Sequence, residues 1–197
     1  MTWRRLKYLV ARAIIKPFGN WQLFPYPFFL LLGDTHYKVK GRETRVVADM
    51  LRTGDILLRR YRNYISGWFI PGYYTHVALY VGDNHVIHAI GKGVVKEDIL
   101  TFLRTDEVAV LRVRADEKRV KTACDEAHNV LGAEYDFIFD SIDDKRFYCS
   151  ELVKHCYEGL FDQPEESGVI KPDVFIESDN ADMIFESRVW RERKKED

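Results

Sequence analysis

The stretch Thr75-His76-Val77-Ala78-Leu79-Tyr80-Val81-Gly82-Asp83-Asn84-His85-Val86-Ile87-His88 decides how this chain folds. Apolar residues run on both sides of a Gly-Asp-Asn turn, which is the pattern of a β-hairpin. Side chains alternate along a strand, so His76, Ala78 and Tyr80 share one face. A three-residue Gly82-Asp83-Asn84 loop pairs Val81 with His85 and Ala78 with His88. It thereby sets His88 on the face of His76, one diagonal step away. A two-residue Asp83-Asn84 loop puts His88 on the opposite face. Loop length therefore decides whether the two imidazoles can meet.

Further short elements surround the hairpin. Residues 44–51 predict a short helix or turn, and Ile56-Leu57-Leu58 a strand after Thr53-Gly54-Asp55. Val108 to Val113 predicts another strand, with Val108, Val110 and Arg112 on one face and Ala109, Leu111 and Val113 on the other. Asp116 is a suitable N-cap for a helix running to about Leu131 and closed by Gly132. A second helix is expected from near Tyr148 to Leu160, since Leu152, Val153, Cys156, Tyr157 and Leu160 form a stripe of helical period. Lys171-Pro172-Asp173 predicts a strand or turn.

Cys149 precedes that stripe by three and four residues, so it sits in the first turn of the second helix on its buried face. The positive end of the helix dipole favours a thiolate there, and a neighbouring imidazole lowers a thiol pKa by several units. Such a cysteine is a nucleophile near neutral pH. A free cysteine on an apolar helix face is also an ordinary core residue. A metal site built from His76, His85, His88 and Cys149 is disfavoured, because His85 should point away from the other two histidines. Ser150 is the weaker nucleophile, its offset turning it from the stripe. Cys149 and Cys156 stand about 10 Å apart along one helix, too far to bridge, and the third cysteine is Cys124. Three cysteines imply no disulfide framework and suit a reducing compartment.

Bulk properties agree with one soluble domain. The chain has 197 residues, 46% hydrophobic and 31% charged, and a net charge of −1 gives no reason to expect nucleic acid as a partner. Charge is uneven: Arg4, Arg5, Lys7, Arg12 and Lys16 open the chain without an acid among residues 1–16. With Trp3, Leu6, Leu9, Val10, Ala13 and Ile14 at helical spacing, this predicts a basic amphipathic helix followed by an aromatic stretch from Trp21 to Leu32. The segment either packs on the main domain or lies on an anionic membrane surface through residues 3–32. Charges interrupt any signal-peptide core, and the apolar run Phe28 to Leu32 is too short to span a bilayer. The expected organisation is an N-terminal helix and arm over residues 1–43, a catalytic domain over 44–187 and a charged tail over 188–197. The expected location is the cytoplasm, with peripheral contact at the inner membrane face.

Taken in order, Gly54-Asp55-Ile56-Leu57, Thr75-His76-Val77-Ala78-Leu79-Tyr80-Val81-Gly82, Leu131-Gly132-Ala133-Glu134-Tyr135-Asp136 and Phe147-Tyr148-Cys149-Ser150-Glu151-Leu152-Val153 resemble a known group. They are similar to the circularly permuted NlpC-type papain-like enzymes of the YiiX/YaeF group. Lecithin retinol acyltransferase and its lipid-acting relatives share the histidine-before-cysteine order. The resemblance covers roughly residues 50–175. It implies an α+β, papain-like fold in which a small antiparallel sheet packs against helices, including the one bearing Cys149. It also implies Cys149 as nucleophile, His76 as base and His88 as the residue orienting the imidazole. In the YiiX/YaeF group that last position is often Glu, whereas acyltransferase-like and unpermuted relatives often use His. Tyr135 resembles an oxyanion-assisting tyrosine, with a packing role the alternative. The implied function is a thiol protease-like hydrolase, an amidase on a small peptide or amino-acid conjugate, needing no metal or cofactor. Acyl transfer or hydrolysis on a lipid-like substrate and a non-catalytic binding module are the alternatives.

Overall fold

The computed structural model describes residues 37–61, 72–136, 145–161, 170–189 and 192. The expected amphipathic helix and aromatic arm, and most of the charged tail, lie outside them. The elements in chain order are α1 (Gly41–Met50), β1 (Ile56–Arg60), β2 (His76–Gly82), β3 (His85–Ile90), β4 (Gly93–Asp98), α2 (Ile99–Phe102), β5 (Glu107–Val113), α3 (Glu117–Asn129), β6 (Glu134–Tyr135), β7 (Arg146–Phe147), α4 (Cys149–Cys156), α5 (Val174–Glu177) and β8 (Ala181–Glu186).

Six of the strands form one antiparallel sheet in the order β4-β3-β2-β1-β5-β8, and β6 and β7 pair in parallel beside it. The central strands β1, β2 and β5 are buried at most positions and mostly apolar, because both faces are covered. Ile56, Leu58, Val77, Leu79, Ala109 and Leu111 pack with α3 and α4. Leu57, Ala78, Tyr80, Val108 and Val110 pack with Val47 of α1 and Ile99 and Phe102 of α2. Each fully buried Leu or Ile side chain contributes about 1.5–3 kcal/mol. The split between Val108/Val110 and Ala109/Leu111/Val113 follows the alternation expected from sequence.

The hairpin turn differs from the expectation. Its closing pair is Gly82–His85, so the loop is the two-residue Asp83-Asn84, with both residues at positive φ, 49° and 59°. That pairing of left-handed residues suits the twist of a tight hairpin. By itself the shorter loop would turn His88 to the other face. A β-bulge between Tyr80 and Gly82 cancels this: Val81 is the extra residue, and Tyr80 pairs with Val86 and Leu79 with Ile87. One step further along that register, Ala78 stands opposite His88. The bulge delivers the facing that a three-residue loop was expected to give.

Other boundaries moved. The first helix begins at Gly41, not near residue 44, so it crosses the boundary expected at residues 43 and 44. Helix α3 has Asp116 as its N-cap, whose carboxylate accepts the Arg119 N–H at 2.7 Å. Helix α4 ends at Cys156 rather than Leu160, where Tyr157 closes it and Gly159 takes a positive φ of 76°. Strands β4 and β8 carried no alternation strong enough to reveal them. β8 borders β5, and Arg114 bridges to its Asp182.

Candidate active site

Cys149 is the first residue of α4, and it is buried, 3% exposed. The segment enters the helix from β7, and the Tyr148 N–H bonds the Glu151 carboxylate at 3.2 Å, which fixes the first turn. The backbone N–H groups of Cys149 itself, Ser150 and Val77 lie near enough to the sulfur to favour its charged form. Ser150 Oγ stands 3.8 Å from it and is itself buried rather than turned away.

Contact with Val77 locates the thiol. Tyr80 N–H bonds Asp55 O next to β1, so by antiparallel alternation the N–H of Val77 points toward β3. The β2–β3 pairing, however, extends only from Gly82–His85 to Leu79–Ile87. Val77 N–H, at the peptide that joins Val77 to His76, lies beyond the last β2–β3 pair and on the side near the Cys149 sulfur.

His76 and His88 are brought together. Nε2 of His76 and Nδ1 of His88 are 2.8 Å apart, with the rings at 71°. The imidazoles lie on the sheet face covered by α2, against the Phe102 ring, whereas α4 covers the other face. Cys149 lies in the buried cluster that holds Val77 and Leu79 of β2. It meets β2 where that strand parts from β3. His85 stands apart, its Nδ1 against the Asp83 carbonyl of its own turn at 2.6 Å.

Burial dominates the electrostatics. It pushes the Cys149 thiol above its ordinary value, although the neighbouring hydroxyl and N–H groups pull the other way. His76 falls well below 6.5 through burial, the Arg59 charge and His88. His88 falls to about 3, through burial and then Arg59. Burial thus favours the neutral thiol and the neutral imidazoles.

Tyr135 pairs with Phe147 across β6 and β7, two residues before Cys149. Tyr135 is half-buried, and burial is the largest cause that raises its pKa. Arg59 and Glu97 are the neighbours that the sequence reading missed. Arg59 stacks its guanidinium 4.3 Å from the Phe102 ring centre and donates to the Phe102 carbonyl at 3.3 Å. Glu97 Oε2 stands 3.5 Å from His88 Nε2 and 3.7 Å from Arg59 Nη1. Strand alternation could have flagged Arg59, two residues beyond Leu57; the polar Lys96-Glu97-Asp98 concealed Glu97.

This arrangement places a buried thiol at a helix start, a hydrogen-bonded imidazole pair at the adjoining backbone, and N–H groups around the sulfur. Such groups can carry acyl transfer through sulfur. Residues 50–194 match the family of permuted papain-like amidase enzymes, YaeF/YiiX, C92, and the chain belongs to that family. Its fold is papain-like with permuted order, and it is an amidase-type cysteine hydrolase by family. No curated protein matches the chain. Among the described residues no helix is long and apolar enough to cross a membrane.

Proposed function

We propose that this enzyme hydrolyses an amide of a small peptide or amino-acid conjugate through an acyl-enzyme on Cys149. His76 is the base, and His88 orients it. The observation that carries the reading is the 2.8 Å His76–His88 contact beside the peptide whose N–H meets the Cys149 sulfur.

His76 uses Nε2 toward His88, which leaves Nδ1 to take the thiol proton as sulfur attacks the acyl carbonyl. Because both groups rest neutral, the proton moves during attack rather than before it. The Cys149 N–H and the Tyr135 hydroxyl donate to the oxyanion. His76 then protonates the leaving amine, and water resolves the thioester with His76 again as base.

An acyl probe reactive toward thiols tests the nucleophile. Wild type should label at Cys149, and Cys149→Ala should not; equal labelling would remove the assignment. With iodoacetamide, the rate should climb through pH 7–9 with no plateau near neutrality, since the thiolate is scarce until its raised pKa is approached. A plateau below pH 7 would instead indicate a preformed thiolate–imidazolium pair. Amide, ester and lipid acyl donors offered to the same protein separate the amidase reading from lipid acyl chemistry.

A further inference from the structure

Beside the histidine pair, His88 Nε2 and Glu97 Oε2 are both buried and without a hydrogen-bond partner, yet they face each other at 3.5 Å. A buried polar atom left unpartnered costs about 1–3 kcal/mol. These two are complementary, and closing the gap by a few tenths of an ångström satisfies both. The sheet makes the meeting systematic: Glu97 pairs with Val86 and His88 with Val95, so the two side chains are diagonal neighbours on one face of β3 and β4.

We propose that Glu97 is a positioning residue of the hydrolytic site, accepting the Nε2–H of His88 and so fixing the tautomer of both imidazoles. The inference rests on the roles given above to His76 and Cys149.

The His76–His88 contact admits two proton arrangements. In one, His76 donates from Nε2 to Nδ1 of His88. His88 then carries its proton on Nε2, toward Glu97, and His76 Nδ1 has a free lone pair for the thiol proton. In the other, His88 donates from Nδ1 to His76 Nε2. His88 Nε2 then turns a lone pair on the Glu97 oxygen, and His76 carries its proton on Nδ1, where it cannot act as a base. A carboxylate beside His88 Nε2 favours the first arrangement and penalises the second. Without that acceptor, the contact alone has no preference.

The charged groups facing His88 come from three strands: His76 on β2, Arg59 on β1 and Glu97 on β4. Helix α2 presents only the Phe102 ring, 5.6 Å between centres. Burial first and Arg59 second favour neutral imidazoles, and Glu97 supplies the acceptor that chooses among their neutral forms. Glu97 also balances the guanidinium at 3.7 Å.

Protein labelled with ¹⁵N-histidine and read by long-range ¹H–¹⁵N correlation at pH 7 reports each tautomer directly. Wild type should show Nε2–H on both His76 and His88. Glu97→Gln, whose amide oxygen still accepts, should keep that pattern. Glu97→Ala should populate Nδ1–H on both rings. Alkylation of Cys149 by iodoacetamide at pH 7 should slow about tenfold or more in Glu97→Ala and recover in Glu97→Gln. Wild-type tautomers in Glu97→Ala would overturn the proposal. So would Nδ1–H on His76 in wild type, a result that needs no variant to fold. The tautomer spectrum judges Glu97 and acyl labelling judges Cys149, so the two failures are distinguishable.

Discussion

Strand β1 is flanked by a charge at each end, Asp55 just before it and Arg59 within it, and the fold treats them in opposite ways. Asp55 is fully engaged. Its carboxylate takes two bonds from Arg112, at 3.0 and 2.8 Å, and the Arg52 N–H at 2.8 Å, while Arg112 also reaches the Met50 carbonyl. At the other end, Arg59 Nε, His88 Nε2 and Glu97 Oε2 are all buried without a hydrogen-bond partner. Native structures leave few such atoms, and those few have reasons. The Asp55 end closes the fold, joining the approach to β1 with β5 and the end of α1. The Arg59 end holds groups whose unmet capacity suits a site that must exchange protons.

Acid should break the comparison most sharply, through the two imidazoles at the Arg59 end. His88 has its folded pKa lowered to about 3, and His76 is also lowered well below 6.5. Above pH 6.5 neither folded nor unfolded chain binds those protons, so nothing is lost. As pH falls through 6.5 the unfolded chain takes up protons that the fold refuses, and stability declines until the folded pKa is reached. His88 contributes up to about 2 kcal/mol of loss between pH 6.5 and 5, and His76 adds to it in the same direction. Urea unfolding across that range checks it, and a flat midpoint would contradict the buried neutral pair.

The next largest effect belongs to the other end. Asp55→Ala strands the Arg112 guanidinium and the Arg52 N–H, and should cost about 3 kcal/mol at pH 7. Denaturant midpoints should move while thiol alkylation per folded molecule stays near the wild-type rate. A comparable fall in alkylation would show that the two ends of β1 are coupled.

How far the sequence disclosed this division varies by residue. His76, Ala78 and Tyr80 sharing a face followed from alternation alone, and Asp116 declared its helix through its own capping chemistry. The His76–His88 meeting was legible as an alternative between two loops, but its actual cause was not. A bulge at Val81 adds a residue without any marker beyond Gly82, so counting positions could not find it. The placement of Cys149 was half visible. Its helix and its turn within that helix were clear, but its place beside Val77 where β2 parts from β3 was not. Burial against helix dipole is a contest of magnitudes that no pattern of letters displays. Arg59 and Glu97 stayed hidden because charges on strands normally point to water, and here Arg59 is buried against the Phe102 ring of α2 with Glu97 beside it.

The smallest effect on stability is expected from Arg59→Met, and it is the most discriminating. Methionine keeps much of the side chain's length and packs on Phe102, so the apolar contacts of the stem survive. Replacing a buried charge by an apolar side chain of similar size is often neutral or stabilising, since the desolvation penalty disappears with it. Unfolding free energy should therefore stay within about 1 kcal/mol of wild type, well below the loss at Asp55. The same change removes the cation that helps hold both imidazoles neutral, so their pKa values should rise and the acid-induced loss should shrink. A proton titration of His88 by NMR, set beside urea midpoints at pH 7 and 5, reads both effects in one protein. If Arg59→Met costs as much as Asp55→Ala, the guanidinium is a structural tie like Arg112. The unmet groups around it would then be a defect that the fold tolerates rather than part of the proton-handling site.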